Sequence, residues 1–224
     1  MIRFDKVCLS YTRQDRSEVI VFDGLDLHVV PGQVVCVLGP SGCGKTTLLN
    51  LAAGFVFPTS GSVLFEGRPV KGPGPERGVV FQDATLFPWL TAFGNVAFAL
   101  KQQGVRGRQL QEMTGEYLAF MGISAQARQY PYTLSGGMRQ RVALARVLAL
   151  ASRALLMDEP FSALDAHSRE RMQDELLRVH AHARQTILYV THSVAEAVYL
   201  GDRIIVLGRR GVLVDIPVSL PRPR

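Results

Sequence analysis

A chain of 224 residues, 47% of them apolar and 20% charged, has the balance of a globular protein with room for a sizeable core. Its net charge of +6 is scattered, with short basic clusters only at Arg209-Arg210 and in Pro221–Arg224, which argues against a nucleic-acid stripe and suits an anionic membrane surface. Three cysteines at unrelated spacings argue against a disulfide framework and fit a reducing compartment. Arg3, Asp5 and Lys6 interrupt any secretory leader. Thr46–Phe65 carries no charge, but Asn50, Gly54, Pro58, Thr59, Ser60 and Gly61 break it as a spanning helix. The chain therefore reads as cytosolic, with any membrane link made through a partner.

Residues 2–10 and 19–29 alternate apolar and polar positions and predict two strands joined by the polar stretch Thr12–Ser17. Cys8, and Cys36 further on, fall in such apolar runs and read as small core residues. Val34-Val-Cys-Val-Leu38 predicts a buried strand, and Thr47–Ala53 predicts a helix. Between them lies Gly39-Pro-Ser-Gly-Cys-Gly-Lys-Thr46, a complete phosphate-binding loop. Small residues at Gly39, Pro40, Ser41, Gly42, Cys43 and Gly44 let successive backbone N–H groups converge on an anion. Lys45 supplies a positive charge for the β- and γ-phosphates, and Thr46 offers its hydroxyl to Mg²⁺. Thr47 opens a helix whose positive end faces the phosphates. The ligand class is a nucleoside triphosphate, and a thiol reagent at Cys43 is expected to block its binding.

Further on, residues 62–66 predict a short strand and Gly78-Val-Val-Phe81 a buried one ending at Gln82. Residues 92–103, 109–121 and 137–150 have helical periodicity with glycine and proline punctuation and little β signal, as in an inserted helical lobe. Strands resume at Ala154–Met157, Thr186–Val190 and Arg203–Leu207, separated by helices near 166–183 and 194–200. The sum is a mainly parallel α/β core with a small antiparallel part and a helical insertion. Ala154-Leu-Leu-Met-Asp158-Glu159 is an apolar strand ending in two acids. Asp158, at the strand's carboxyl edge, suits Mg²⁺, and Glu159 suits a general base acting on water. His180 and His182 close a charged helix, point to different faces and read as solvated surface.

Leu134-Ser-Gly-Gly-Met138 precedes a helix, where Ser135 can cap and the Gly136 and Gly137 N–H groups make a second anion site. A phosphate loop, a second phosphate grip and the paired acids together resemble the nucleotide-binding subunit of ABC transporters. Met138 stands where that family usually has Gln, a change that leaves the serine and glycine contacts intact. The resemblance spans nearly the whole chain. It implies a single domain over residues 1–224, a P-loop NTPase fold with a RecA-like core (about 1–85 and 154–216), a small antiparallel β subdomain and a helical subdomain at about 86–153.

The same resemblance implies roles for further residues. Tyr11 stands where an aromatic side chain stacks on adenine. Gln82 matches the glutamine linking γ-phosphate and Mg²⁺ to the transport domain, and His192 matches the histidine that contacts the γ-phosphate. Ser162-Ala-Leu-Asp165 is similar to the loop that communicates across a head-to-tail dimer. In such a dimer Ser135, Gly136 and Gly137 close over ATP held by the other chain's loop. The expected cofactors are ATP and Mg²⁺. The expected partners are a transmembrane permease, a second copy of the chain and a separate solute-binding protein, with no nucleic acid, at the cytoplasmic face of the membrane.

Asp83-Ala-Thr-Leu-Phe-Pro-Trp-Leu-Thr91 is apolar for a surface loop and includes Trp89, the chain's one tryptophan; a core role for that ring is the alternative. Its Leu-Phe-Pro-Trp form, with the tail Ile216–Arg224, is similar to importers of the nitrate, sulfonate and taurine group; thiamine-precursor importers share much of the pattern. Other readings are a soluble ABC ATPase acting on nucleic acid or another machine, and the ATPase of an exporter or cell-division complex. A non-catalytic regulator of this type would be expected to lack Glu159 or His192.

Overall fold

The computed structural model describes residues 1–12, 17–222 and 224. Two strands, β1 (Ile2–Thr12) and β2 (Glu18–Val29), pair antiparallel from Ile2↔Val29 to Thr12↔Glu18. The connection between them, residues 13–16 of the polar stretch named above, lies outside the described residues. β4 (Ser60–Phe65) pairs with β1, and the two-residue β5 (Arg68–Pro69) pairs with β4, completing a four-stranded antiparallel sheet in the order β2-β1-β4-β5.

The second sheet has six strands in the order β10-β9-β3-β8-β7-β6. β3 (Val34–Leu38), β6 (Arg77–Val80), β7 (Ala154–Asp158), β8 (Thr186–Val190) and β9 (Arg203–Gly208) run parallel, and β10 (Gly211–Pro217) returns antiparallel at the edge. β3 and β8 are buried at every position, as strands covered on both faces must be. Alternation then sorts their side chains to opposite faces. Val34, Cys36, Leu155, Met157, Ile187 and Tyr189 join one apolar cluster; Val35, Val37, Leu156, Leu188, Val190 and Ile205 join the other.

Helix α1 (Lys45–Ala53) packs with the second cluster, which also takes in the antiparallel sheet through Ile2, Phe4, Val7 and Phe22. The first cluster includes side chains from α2 (Ala92–Gln102), α3 (Gly107–Phe120), α4 (Gly136–Ala149), α5 (Ala166–Ala183) and α6 (Val194–Leu200). Helices α2 to α4 all fall in the stretch read as the helical insertion.

Two differences from the sequence reading have physical reasons. β10 and β5 were not foreseen. β10 leaves most of its side chains exposed and so lacks the apolar alternation that marks a half-buried strand, while β5 is only two residues long. β10 is held by Arg203, whose Nε donates to Asp215 Oδ1 at 2.6 Å while a second guanidinium nitrogen donates to Oδ2. His180 is not solvated: it is 5% exposed, and its Nε2 bonds the Gly32 carbonyl at 3.0 Å. It continues the buried stripe Met172–Leu176 down α5, whereas His182 is exposed. Trp89 agrees with the surface-loop reading and not with the core alternative. Its ring is 70% exposed, beside Phe87 with centroids 5.6 Å apart.

Candidate active site: a phosphate-loop cleft

Four chain segments leave the parallel sheet at its carboxyl edge side by side: the loop after β3, Gln82 beyond β6, Asp158-Glu159 at the end of β7, and His192 beyond β8. Ligand clefts of open α/β sheets form at this edge. Here a cleft of about 520 Å³ is lined by Val21, Gly39, Ser41, Gly42, Gly44, Lys45, Thr46, Thr47, Gln82, Asp158, Glu159 and His192.

The loop's shape depends on what glycine lacks. Gly44 has φ +102 at the start of α1, and a Cβ there would meet Phe22 and Val21 side-chain carbons at 2.9 Å. A Cβ on Gly39 would lie 2.6 Å from the Leu207 carbonyl oxygen and 2.7 Å from Cys43 Sγ. Cys43 itself turns away from the cleft: it is 7% exposed and belongs to the apolar cluster beneath the loop. The thiol is therefore shielded, and only the Cys43 backbone remains available to a phosphate.

Lys45 Nζ donates to the Gly39 carbonyl at 2.8 Å and to the Pro40 carbonyl at 3.1 Å, spanning the loop. Thr46 Oγ1 donates to Asp158 Oδ2 at 2.8 Å. A hydroxyl and a carboxylate brought together beside a phosphate loop are the hard oxygen donors that Mg²⁺ takes, so the residues fit that ion. Burial pushes the Asp158 carboxyl above its ordinary value, and the neighbouring Glu159 charge adds to the rise, while the Thr46 hydroxyl and Lys45 oppose it.

Glu159 collects the remaining groups. Its Oε2 accepts from Gln82 Nε2 at 3.4 Å and lies 3.3 Å from His192 Nδ1. Its backbone has φ +44, a left-handed conformation uncommon for a residue with a side chain. The Glu159 N–H donates to Val190 O at 3.0 Å, carrying the β7–β8 pairing one residue past the strand and holding that conformation. Strain of this kind is retained where the surroundings over-determine it, often at functional sites.

Other predicted residues lie elsewhere. Tyr11 is 45% exposed on β1 opposite Val19, two residues along β2 from the cleft-lining Val21. Val21 was missed, since an apolar strand residue carries no mark of a site. Pro40 is a loop member that does not line the cleft. Ser135 caps α4 by accepting from the Met138 N–H at 3.3 Å, which leaves Gly136 and Gly137 at the helix's positive end, outside the cleft. Asp165 caps α5 by accepting from the Ser168 N–H at 2.9 Å. The hydrogen bonds from Ser168 hold its carboxyl below its ordinary value.

A strand, phosphate loop and helix, with acids at the end of a neighbouring strand, define a P-loop nucleoside triphosphatase fold built around a RecA-like core. The family description "ABC transporter" matches residues 22–162. The taurine import ATP-binding protein TauB of Chromobacterium violaceum is 49% identical over 203 residues, covering 91% of this chain and 77% of that protein. The nitrate import ATP-binding protein NrtD of Synechococcus elongatus is 41% identical over 216 residues, covering 93% and 79%. A solved ATP-binding cassette, a dimer in a post-hydrolysis state with ADP and Pi, superposes with a TM-score of 0.90 at 29% identity, covering 99% of this chain and all of that one. The chain belongs to the ABC transporter ATP-binding family, in the neighbourhood of the nitrate, sulfonate and taurine importers, and it is an ATPase.

Proposed function

We propose that this chain is the ATP-hydrolysing subunit of an importer for a small anion of the nitrate, sulfonate or taurine type. It would act at the cytoplasmic face of the membrane through a separate permease, supplied by a solute-binding protein. The ATP-hydrolysing part of the reading is carried by the convergence of Lys45, Thr46, Gln82, Asp158, Glu159 and His192 on one cleft at the sheet edge, and the importer part is supported by the similarity to the taurine and nitrate import proteins.

The roles follow from the chemistry of each group. The loop N–H groups and Lys45 bind the triphosphate, with Lys45 exchanging the Gly39 and Pro40 carbonyls for phosphate oxygens. Tyr11 stacks on the adenine. Thr46, Asp158 and Gln82 would hold Mg²⁺, which when bound supplies positive charge to the phosphate oxygens. Glu159 accepts a proton from water as the water oxygen attacks the γ-phosphorus and the bond to the β-phosphate oxygen breaks, releasing ADP and phosphate. His192, beside Glu159, contacts the γ-phosphate and helps neutralise the charge that spreads over it.

In the same reading Ser135, Gly136, Gly137 and Asp165 of a second copy complete the site. ATP bound between two copies favours the closed pair by mass action, and hydrolysis removes that bridge. The helical lobe carries the motion to the permease. The aromatic loop suits the contact: Phe87, Trp89 and Phe98 cluster, with Arg146 5.2 Å from the centre of the Phe87 ring. The loop is held in shape by the buried Asn95, which bonds the backbone of Phe87, Leu90 and Thr91. Among the described residues no helix is long and apolar enough to cross a membrane, and the reading assigns the spanning path to a separate permease.

The test is capture of tagged Glu159→Gln protein, loaded with ATP, from detergent-solubilised native membranes. Copurification of a polytopic membrane protein supports the importer subunit. Recovery only with ribosomes or nucleic acid would overturn it while leaving the ATPase chemistry standing.

A further inference from the structure

The turn carrying His192 is tied to the segment that follows Glu159 by side chains outside the cleft. At the centre stands Glu196 on α6, whose side chain is 13% exposed. Its Oε2 accepts from the Thr191 hydroxyl and, at 3.5 Å, from the phenol of the fully buried Tyr189. Its Oε1 accepts from Gln173 Nε2 at 2.9 Å and lies 3.9 Å from Arg169 Nε. On the other side of the circuit, Arg169 donates to the carbonyls of Phe161 at 3.4 Å and Leu164 at 3.0 Å.

Thr191 is 1% exposed and bonded on every side. Its N–H donates to Val37 O at 3.2 Å, and its Oγ1 also accepts from the Ser193 N–H at 3.0 Å. The Glu196 N–H donates to Ser193 Oγ at 3.2 Å, so the residues on both sides of His192 are fastened to one residue, Thr191 through its carboxylate and Ser193 through its backbone. The path closes on itself: Glu159, Phe161, Arg169, Glu196, Thr191, His192, and back to Glu159 through the 3.3 Å contact. A partly buried carboxylate with four partners holds its geometry more stiffly than any one of those bonds would.

We infer that Glu196 is a positioning residue for hydrolysis, setting the His192 turn through Thr191 and coupling it through Arg169 to the Phe161–Leu164 segment. The inference rests on the role given to His192 above. It concerns the alignment of His192 with Glu159 during reaction and not the binding of nucleotide, because neither Glu196 nor Thr191 lines the cleft.

The experiment compares wild type with Thr191→Val, Glu196→Ala, Glu196→Gln, Arg169→Met, His192→Ala and the Thr191→Val/His192→Ala double variant. It measures steady-state ATP hydrolysis and equilibrium binding of a fluorescent ATP analogue. Thr191→Val keeps the shape of the side chain and removes only the hydroxyl, so it carries the test if Glu196→Ala does not fold. Misalignment of a reacting group is expected to lower kcat on the order of tenfold or more in Thr191→Val and Glu196→Ala, with the analogue Kd within about twofold of wild type. Arg169→Met should show a smaller loss of the same kind. Glu196→Gln should recover most of the rate, since its amide oxygen still accepts from Thr191. The decisive comparison is the double variant, which should be no slower than His192→Ala alone. Multiplying losses would overturn the inference, because Thr191 would then act independently of His192. An unchanged kcat in Thr191→Val with only a lowered melting midpoint would also overturn it. An unchanged kcat in His192→Ala would instead remove the catalytic role of His192, a failure of the underlying reading that the two measurements keep separate.

Discussion

Two helix N-termini in this chain offer converging backbone N–H groups to an anion, and they sit in opposite surroundings. That of α1 is enclosed: a Cβ on Gly44 would collide with Phe22 and Val21, Lys45 spans the loop, and Gln82, Asp158, Glu159 and His192 stand around it. That of α4 is open: Ser135 and Gly136 are exposed, and the nearest side-chain atom to a Cβ on Gly136 would be an Arg139 guanidinium nitrogen at 3.9 Å. The same local physics thus produces a walled cleft at one end and a bare anion-seeking surface at the other. On the proposed reading, the first holds the chemistry and the second finds its use against something outside its own chain.

The sharpest way to break the comparison is at Glu159. Glu159→Gln keeps the shape and removes the proton acceptor, so kcat should fall about 10²- to 10⁴-fold while ATP binding persists and a closed dimer accumulates. Single-turnover hydrolysis with size-exclusion chromatography in ATP reads both, and near wild-type turnover would take Glu159 out of its role. Lys45→Ala attacks binding itself. Loss of a charge that spans the loop should weaken ATP by about 10²-fold, about 2.7 kcal/mol, by equilibrium titration. Unchanged affinity would mean that the cleft is not the nucleotide site.

The open helix end has a more selective test. Gly136→Asp meets no obstacle within its own chain and places an acid where a helix N-terminus favours one, so the melting midpoint should hold or rise slightly. Against a partner's phosphates the same carboxylate repels, and hydrolysis should fall about tenfold or more. Mixing Gly136→Asp with Lys45→Ala then sharpens the result. Random pairing makes half the dimers mixed, each with one site built from an intact loop and an intact Gly136, so about a quarter of the wild-type rate should return. If mixing restores nothing, the two features do not meet across a dimer.

The enclosed half was far more legible in the sequence than its supports. The apolar run into Gly39–Thr46 and the one ending in Asp158-Glu159 each carry their signal within a few residues, and both reached the same cleft. The open half was legible as chemistry, because Ser135-Gly136-Gly137 before a helix is a cap signature wherever it occurs. What stayed hidden depends on contacts between residues far apart in the chain. The left-handed turn at Glu159 has no glycine to announce it. Cys43 reads as an open loop residue until the cluster beneath it is seen. The β9–β10 hairpin turns through Arg209-Arg210, with Arg210 at φ +74, where glycine or asparagine would have marked the turn.

His180 was the plainest misreading, and it supports the smallest expected effect. Its spacing of four after Leu176 extends the buried face of α5, but the charged residues around it read as a solvated end. Burial holds its imidazole below the ordinary histidine value, so the folded chain binds the proton less readily than the unfolded one. The stabilising contribution of the neutral ring is therefore complete above the unfolded value near 6.5 and is lost as pH falls through that value toward the folded one. Urea midpoints should drop from pH 7.5 to 5.5, and they should drop less in His180→Gln, whose amide N–H can still donate to Gly32 O. His28, whose imidazole burial also holds low, contributes the same slope to both proteins, so the difference between the two drops isolates His180. Equal drops would mean that the ring at position 180 accepts its proton in the fold as easily as in water, despite the 5% exposure and the bond to Gly32.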